Sequence, residues 1–361
     1  MLDIWYWIKL LAALVSAVVI SFAATPLVKS LAYKVGAIDV PKDERRMHKT
    51  PIPRLGGLAI FVAFLFAVLL FGNIDRTMQG ILLGAVMIVI LGVLDDILTL
   101  KALPKFLVQI AAAAVAVYHG CTIQFVSNPN VFSETGYLDL GWLSVPLTIL
   151  WIVAITNAVN FIDGLDGLAV GVSGISSASL LVVALMVGEQ DIALFLAALL
   201  GACVGFIPYN KNPAKIFMGD TGATFLGYIL ATLSIQGLFK LYAVISFAVP
   251  FLILGLPIFD ICFAFLRRIA KGQNPMVADR GHVHHRLIDM GFNQKQAVAI
   301  AYMLTAILGL SAVLLTSSGE LKALILIGAI ILVGAIGLRV IFKHPHHEEP
   351  QRDTDESSDD Q

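Results

Sequence analysis

Three short acidic motifs interrupt an otherwise apolar chain, and their side chains are of the type that binds a metal ion. The motifs are LDDILTL with Asp95 and Asp96, NAVNFIDGLDG, and FMGDTGA with Asp220. Mg²⁺ prefers carboxylate oxygens and completes its shell with water and substrate phosphates, so one or two carboxylates are enough. We expect Asp220 to be a metal ligand. Capping the helix that follows is a second role, compatible with the first.

The adjacent carboxylates of Asp95 and Asp96 stand where a predicted membrane helix ends. Two neighbouring carboxylates repel each other unless a cation lies close to them. A divalent metal or a proton-accepting role would explain the pair, and a helix end marked by charge is the plainer alternative. The sequence does not decide which of the two acids would act as a base.

The second motif repeats a polar side chain every third residue, at Asn157, Asn160, Asp163 and Asp166. Steps of three keep side chains on one slowly drifting face of a helix. We therefore expect the four to share one face of a helix that extends past the membrane surface. Gly164 and Gly167 would let the chain turn and let a ligand approach the backbone. Asn and Asp-Gly are also ordinary turn residues, but this alternative does not explain four polar residues in register.

A basic cluster lies later in the chain. It comprises His282, His284 and His285 with Arg267, Arg268, Arg280 and Arg286. A zinc site is disfavoured, because no Cys or acidic ligand stands at zinc-like spacing and the arginines would repel a cation. Imidazole and guanidinium groups together suit phosphate. A basic cytoplasmic loop by itself would explain the arginines but not the three histidines.

Two further signals are weaker. Gly56 and Gly57 open a predicted helix whose free backbone N–H groups could face an anion, with Lys49 and Arg54 nearby. Asp260 lies about two turns inside a predicted membrane helix, where an ionisable group needs a partner or water. A role in the site and a purely structural pairing are both open for Asp260.

The composition sets the class of protein that must position these groups. The 361 residues are 58% hydrophobic and only 14% charged, whereas a soluble domain has about 25% charged residues. A water-soluble fold is therefore excluded. The net charge of −1 gives no basis for nucleic-acid binding. The three cysteines have no CxxC spacing, so neither redox chemistry nor a disulfide framework is expected.

The apolar runs predict an all-α polytopic integral membrane protein with about eleven transmembrane helices. The predicted spans are 4–25, 56–72, 79–94, 104–118, 144–160, 167–187, 191–208, 220–237, 241–265, 296–315 and 321–342. With the N-terminus outside and the C-terminus cytoplasmic, all 24 Lys and Arg residues except Lys9, Arg76, Lys240 and Lys322 lie on the cytoplasmic side, as the positive-inside rule requires.

Three smaller features complete the predicted architecture. Turn signals between short β-rich runs predict a small external β-hairpin near 119–143. Residues 1–343 are expected to form a single transmembrane catalytic domain. Residues 344–361 are polar and acidic, which is typical of a disordered tail; its histidines could bind metal, although a solvated tail is the plainer alternative.

The acidic and basic motifs all fall on the predicted cytoplasmic side. Acidic side chains can bind a metal ion, and basic side chains can bind phosphate. Their combination at a membrane face indicates phosphoryl transfer from a soluble diphosphate donor to a lipid-borne acceptor. No Walker-type glycine loop is present. A transporter of an anionic metabolite is the rival class, but it should place ionisable groups near the bilayer midplane and often shows inverted repeats.

Over residues 5–342 the sequence resembles the polyprenyl-phosphate N-acetylhexosamine-1-phosphate transferases, in which PRLGG, the DD pair, NAVNFIDGLDG, FMGDTGA and HVHHR occur in this order. The resemblance implies sugar-phosphate transfer from a UDP-sugar to undecaprenyl phosphate with release of UMP. It also implies Mg²⁺ as cofactor, with Mn²⁺ as a substitute, in a multi-pass protein of the bacterial cytoplasmic membrane whose active site is on the cytoplasmic face. The HVHHR motif is similar to the histidine motif of the N-acetylglucosamine branch of this family, which uses UDP-GlcNAc. The opening segment most resembles the starter of the teichoic acid linkage unit, and the UDP-MurNAc-pentapeptide branch is a less similar alternative.

The resemblance also implies roles for single residues. Asp95 and Asp96 match the acidic pair assigned to the acceptor phosphate and to proton removal. Asp220 matches the magnesium ligand, and Phe217 an aromatic that stacks on uracil. Asn160, Asp163 and Asp166 match the nucleotide-side helix end, with Asn157 and Lys49 as further substrate-binding candidates. His282, His284 and His285 match the catalytic histidine motif near the diphosphate, Arg268 an arginine tied to the GlcNAc donor, and Lys105 a lysine close to the acidic pair.

Some questions stay open at the level of sequence. Thr99 stands where some members of the family carry Lys, so Lys101 or Lys105 would have to supply the basic partner there. The downstream polymer and the existence of a homodimer are not decided. Direct attack by the lipid phosphate is favoured over a covalent aspartyl intermediate, because the acceptor phosphate is already largely anionic at neutral pH.

Overall fold

The structure, a computed structural model, describes residues 3–40, 50–127, 137–237, 245–270 and 282–317, and most of them are helical. The helices are α1 (Ile4–Val35), α2 (Gly57–Phe71), α3 (Arg76–Leu98), α4 (Ala102–Tyr118), α5 (Ser144–Phe161), α6 (Leu168–Val187), α7 (Gln190–Asn210), α8 (Gly219–Gly237), α9 (Ile245–Ile253), α10 (Gly255–Ala270), α11 (Val283–Asp289) and α12 (Gln294–Ser317). The described residues belong to one unit, residues 1–318. The predicted span 321–342, the domain boundary at 343 and the tail 344–361 lie outside the described residues.

Several of these helices have the length and the apolar character of membrane spans. Within the described residues, 6 helices are long and apolar enough to cross a membrane, namely α1, α3, α5 with its preceding turn, α6, α7 and α12. Helices α2 and α4 are apolar but shorter. The chain is therefore a polytopic membrane protein, and the count of eleven spans with its orientation stays a prediction.

Helix α8 forms the centre of the bundle. Every residue from Thr221 to Gly237 is buried, and the helix packs against α2, α3, α5 and α6. Small residues allow the close approach: a Cβ on Gly92 of α3 would overlap the backbone of Thr221. Small residues are typical of interfaces between membrane helices, because they let two backbones come together. The first turn of α8, which carries Asp220, is thereby fixed against α3.

The predicted span 241–265 is wrong as one continuous helix. The chain forms α9 and α10 there, with Leu254 between them. Pro257 explains the break, because its nitrogen has no hydrogen to donate to the carbonyl of Ile253 and its ring crowds that carbonyl. The first helix differs in the other direction: α1 runs through Pro26 to Val35, ten residues past the predicted end.

The predicted hairpin near 119–143 is confirmed as a short antiparallel pair. Strand β3 (Phe125–Ser127) pairs with β4 (Tyr137–Asp139), with Phe125 opposite Asp139. The external position of this hairpin stays a prediction.

A second antiparallel pair, which the sequence did not predict, lies just before α2 in the chain. Strand β1 (Ile38–Asp39) pairs with β2 (Ile52–Pro53). Backbone hydrogen bonds then join the PRLGG segment to the loop before α8: Phe217 N donates to Pro53 O, and Gly56 N donates to Phe217 O. These contacts bring Arg54 beside the FMGD motif.

Candidate active site

A cavity of about 570 Å³ lies where the C-terminal ends of α3 and α5 meet the N-terminal end of α8. Seven of the predicted catalytic, substrate-binding and metal-binding residues line it: Asp96, Asn160, Asp163, Asp166, Phe217, Asp220 and His285. The remaining lining residues include Asp39, Thr50, Arg54, Asn210, Asn212 and Gln294. Four separated motifs thus meet around one polar space.

Asp96 holds the first turn of α8 in place. Its Oδ1 accepts a hydrogen bond from Asp220 N at 3.0 Å, and its Oδ2 accepts from Thr221 N at 3.1 Å and from Thr221 Oγ1 at 2.6 Å. A helix start leaves unpaired N–H groups that an acceptor must satisfy. The idea that Asp220 caps the helix itself is wrong, because Asp220 lies inside the first turn and Asp96 of α3 provides the cap.

Lys105 joins two of the acidic motifs. Its Nζ donates to Asp95 Oδ2 at 2.7 Å and to Asp220 Oδ2 at 2.9 Å. The predicted closeness of Lys105 to the acidic pair is confirmed. The ammonium group offsets the repulsion between two carboxylates that come from helices more than a hundred residues apart.

Arg54 provides a second basic group at the acidic pair. Its Nε donates to the carbonyl oxygen of Asp96 at 3.1 Å, and its Nη2 donates to Thr99 Oγ1 at 3.3 Å. The Asp96 carboxylate lies 4.0 Å from Nε. Lys105 at Asp95 and Arg54 at Asp96 thus provide a basic group for each member of the acidic pair.

The expected common helix face in NAVNFIDGLDG is wrong for its last two members. Helix α5 ends at Phe161, and Gly167 adopts a left-handed conformation with φ of 80°. Asp163 and Asp166 therefore lie in the turn between α5 and α6. A step of three residues in a turn does not define a face, and it is the turn that directs both acids into the cavity.

Asn157 lies away from the cavity. Its Nδ2 donates to Gln109 Oε1 at 2.6 Å, which pairs α5 with α4. Asn160, one turn later, lines the cavity. The two asparagines of the motif thus have different surroundings, and Asn157 has a helix-packing contact instead of a place in the cavity wall.

Asp163 lies among other acids. Burial raises the pKa of Asp163 to about 8, and the nearby carboxylates of Asp220 and Asp96 add to the rise. A cation in the cavity would favour the charged form of such a group. The environment of Asp163 therefore suits a positively charged ligand.

Asp166 supports the loop that leads to Phe217. Its Oδ2 accepts hydrogen bonds from Asn212 Nδ2 at 2.9 Å and from Ala214 N at 3.0 Å. Asn212 also donates to Gln294 Oε1 at 2.6 Å, which ties the same loop to the start of α12. Asp166 thus lines the cavity and also shapes its wall.

The histidine motif approaches the acidic turn through α11. His285 lines the cavity, and the buried ring of His284 packs against Gly164 so closely that a Cβ there would overlap it. Burial, and then the neighbouring His285, lowers the pKa of His284 to about 4, so His284 is neutral at physiological pH. His282 contacts Asp260 and is not among the lining residues.

Several predicted site residues do not line the cavity, namely Asp95, Lys105, Asn157, His282 and His284. Arg268 lies in the last turn of α10 and is not among the lining residues, while Lys49 lies outside the described residues. Arg54 was only a weak candidate from the sequence, and the lining residues Asp39, Asn210, Asn212 and Gln294 were not predicted. The polar run PYNKNPAK before FMGD was the available signal for the asparagines, and Gln294 had none.

The donor set fits a magnesium ion that is shared with a substrate. Within the described ranges, no three His, Cys, Asp or Glu side chains form a group that could hold a metal ion by themselves. Mg²⁺ needs only one or two carboxylates when phosphate and water complete its shell. Asp220 and Asp163, both on the cavity wall, offer hard oxygen ligands of this kind.

The fold and the cavity define a polytopic membrane protein with an acidic site at the ends of its helices. Residues 78–238 match glycosyl transferase family 4. The chain is 41% identical over 326 residues to a probable undecaprenyl-phosphate N-acetylglucosaminyl 1-phosphate transferase of Bacillus subtilis, covering 90% of each chain. The protein belongs to glycosyl transferase family 4.

Other relatives differ in their named substrates. A decaprenyl-phosphate N-acetylglucosaminephosphotransferase of Mycobacterium tuberculosis is 33% identical over 352 residues, which cover 90% of this chain and 87% of that protein. A phospho-N-acetylmuramoyl-pentapeptide-transferase of Clostridium beijerinckii is 29% identical over 313 residues, which cover 83% of this chain and 94% of that protein. The Bacillus subtilis and Mycobacterium tuberculosis relatives, both named for N-acetylglucosamine, are thus more similar to this chain than the Clostridium beijerinckii relative.

Proposed function

We propose that this protein transfers GlcNAc-1-phosphate from UDP-GlcNAc to undecaprenyl phosphate, which gives undecaprenyl-diphosphate-GlcNAc and UMP. The observation that carries the proposal is the cavity lined by Asp96, Asp163, Asp166 and Asp220, beside which Lys105 joins Asp220 to Asp95. This arrangement has the carboxylates for a metal-bound diphosphate and the cation for an attacking phosphate. The name of the Bacillus subtilis relative supports the same reaction.

The donor would occupy the cavity, with its diphosphate toward the acids. Asp220 and Asp163 would hold Mg²⁺, for which Mn²⁺ would substitute, and the metal when bound neutralises charge on the diphosphate and on the departing UMP. Phe217 in the cavity wall is the aromatic surface for the uracil ring. Arg54 and His285, at other points of the wall, have donors suited to phosphate oxygens.

The reaction would be a direct displacement. An oxygen of the lipid phosphate forms a bond to the sugar-bearing phosphorus of UDP-GlcNAc. The bond from that phosphorus to the bridging oxygen breaks, and its electron pair leaves with UMP. Lys105, which faces both Asp95 and Asp220, would balance the charge of the attacking phosphate. Positioning of the two substrates and electrostatic stabilisation of the transition state then account for most of the rate enhancement, as in other phosphoryl transfers.

Two alternatives make different predictions. A transporter of an anionic metabolite would need ionisable groups near the bilayer midplane, whereas the acids here gather where helices end. Transfer of another UDP-N-acetylhexosamine, such as UDP-MurNAc-pentapeptide, uses the same chemistry; the relative named for that sugar is 29% identical, against 41% for the Bacillus subtilis relative.

The decisive test is UMP release by the purified protein in detergent. Release is expected only when UDP-GlcNAc, undecaprenyl phosphate and Mg²⁺ are all present, and it should match the formation of lipid-linked GlcNAc. UDP-MurNAc-pentapeptide should give little product under the same conditions. Uptake of a substrate into vesicles without UMP release would favour the transporter and contradict the proposal.

The proposed active site faces the cytoplasm, where UDP-sugars are available. The predicted cytoplasmic loops carry most of the Lys and Arg residues, and the helix ends around the cavity are those predicted to lie on that side. We place the N-terminus outside and the C-terminus inside. The teichoic acid linkage unit is the favoured destination of the product, on the resemblance of the N-terminal segment.

Reporter fusions test this topology. A reporter fused after Asn128 is expected outside and one fused after Lys271 inside, because an odd number of predicted spans separates the two positions. Enzymatic reporters that are active on only one side of the membrane give the readout. If both positions report as cytoplasmic, the number of spans between them is even and the predicted topology is wrong.

Gly164→Ala is expected to lower transfer by about 10²-fold, because the added methyl group would overlap the imidazole of His284 and push the histidine segment away from the acidic turn. The rate of UMP release measures the effect. Gly174→Ala is the matched control, since its methyl would meet only Cys203 at an ordinary distance of 3.6 Å. Equal rates for the two variants would contradict the proposed contact.

A further inference from the structure

Asp260 is a buried acid that lies outside the cavity and outside the motifs with an expected role. It belongs to α10, between the apolar residues Phe259 and Ile261, and is only 1% exposed. An ionised or polar group at such a place is costly unless it has partners. Its partners therefore indicate what the residue is for.

Both carboxylate oxygens of Asp260 are directed at the start of the histidine segment. Oδ2 lies 2.9 Å from His282 Nδ1, and Oδ1 accepts a hydrogen bond from Val283 N at 2.6 Å. His282 itself makes no side-chain cap for α11. Asp260 thus supplies, from another helix, the acceptor that the first turn of α11 needs.

The contact with Asp260 also fixes the ring of His282. A carboxylate at Nδ1 makes that nitrogen the protonated one in the neutral ring, so Nε2 is the acceptor. The ring is further held by stacking on Phe161, with centroids 5.9 Å apart, and on His284, with centroids 5.8 Å apart. The contact with Asp260 therefore sets both the orientation and the tautomer of the His282 ring.

The other two histidines follow within one turn of this anchor. His284 packs on Gly164 of the acidic turn, and His285 lines the cavity. Because α11 contains only seven residues, movement of its first turn moves all three histidines. The anchor at Asp260 therefore determines whether His285 reaches the cavity.

We propose that Asp260 is a positioning residue that anchors α11 and thereby places His285 in the cavity. This proposal rests on the proposed function in one respect, which is that His285 takes part in the transfer reaction. The anchor itself is a property of the fold and can be measured without substrate.

Two substitutions separate the two contacts. In Asp260→Ala both contacts are lost, so the Val283 amide should lose its protection from hydrogen exchange and kcat should fall by about 10²-fold. In Asp260→Asn the amide oxygen still accepts from Val283 N, but the NH₂ group faces His282 Nδ1 and favours the opposite tautomer. Protection should persist in Asp260→Asn while kcat falls and the ¹⁵N shifts of the His282 ring change. KM for UDP-GlcNAc should change less than kcat in both variants.

Two further variants test whether the loss of kcat in the Asp260 variants results from displacement of the histidine segment. Asp289→Asn removes an exposed carboxylate from the same short helix and should leave protection and kcat at wild-type values. The double variant Asp260→Ala with His282→Ala should lose little more activity than the worse single variant, because coupled residues are not additive.

The outcomes distinguish this proposal from the proposed function. Wild-type kcat in Asp260→Asn together with an unchanged His282 tautomer would overturn the positioning role, even if Asp260→Ala does not fold. Unchanged protection of Val283 in a folded Asp260→Ala would overturn the anchor. If wild-type protein releases no UMP but Val283 loses protection in Asp260→Ala, the anchor stands and the proposed function fails.

Discussion

Asp220→Asn is expected to lower transfer by about 10³-fold or more while leaving the protein folded. An amide cannot supply the anionic oxygen that a magnesium site with few protein ligands requires, and the charge stabilisation given by such a metal is worth several kcal/mol. The substitution also removes the ion pair with Lys105. UMP release at saturating substrates measures the effect, and activity within tenfold of wild type would contradict the metal assignment.

Two controls identify the cause of this loss. Asp191→Asn changes an exposed acid at the same place in another helix, the first turn of α7, and should retain activity. Lys105→Met removes the ion pair but leaves the Asp220 carboxylate. The magnesium concentration for half-maximal activity should therefore rise far more in a residually active Asp220 variant, such as Asp220→Glu, than in Lys105→Met.

Asp95→Asn is expected to regain part of its activity between pH 6 and pH 9, whereas Asp96→Asn is expected to stay inactive. The last proton of the acceptor phosphate has a pKa near 6, so a higher pH does part of the work of a general base, which is worth about 10²–10⁴-fold. A pH–rate profile of each variant gives the measurement.

The structure provides the reason for the difference between the two acids. The two oxygens of Asp96 accept three hydrogen bonds from Asp220 and Thr221, and in asparagine an NH₂ group would replace one of these oxygens and face a backbone N–H donor. Raising the pH does not repair a misplaced first turn of α8. Recovery of Asp96→Asn alone, or equal recovery of both variants, would show that the two roles have been assigned wrongly.

The same assay tests the direct displacement. Wild-type protein given UDP-GlcNAc without lipid acceptor should release no burst of UMP, because no covalent sugar-phosphate intermediate forms on Asp95 or Asp96. Asp220→Asn is the negative control for contaminating hydrolysis. A burst in an amount equal to the enzyme would establish a covalent step and overturn direct attack.

Much of the architecture follows from local properties of the chain. Apolar runs of about twenty residues predict membrane helices because each helix satisfies its own backbone hydrogen bonds. Helices α3 and α5 to α7 lie within a few residues of the predicted spans. Turn residues likewise predicted the β3–β4 hairpin. Pro257, in contrast, divided a predicted span whose hydropathy alone gave no break.

The acids of the site were recognisable for a related reason. Asp95, Asp163 and Asp220 are expensive residues in an apolar chain, so their presence near helix ends indicated a site before any geometry was known. The different structural roles of these acids could not be recognised from the sequence. Asp96 and Asp95 are neighbours of the same type, and only their partners, Thr221 for one and Lys105 for the other, distinguish them.

The sequence by itself determined the class of protein, the positions of most helices and the set of acids and histidines proposed to carry the chemistry. Only the tertiary structure decided that Asp96 caps α8, that Arg54 reaches the acidic pair and that Asp260 contacts His282 and Val283 at the start of the histidine segment. The physical reason is the range of the interactions. Hydropathy and turn preference act within one segment, whereas a buried carboxylate takes its hydrogen-bond donors from whichever segment the packed helices bring beside it.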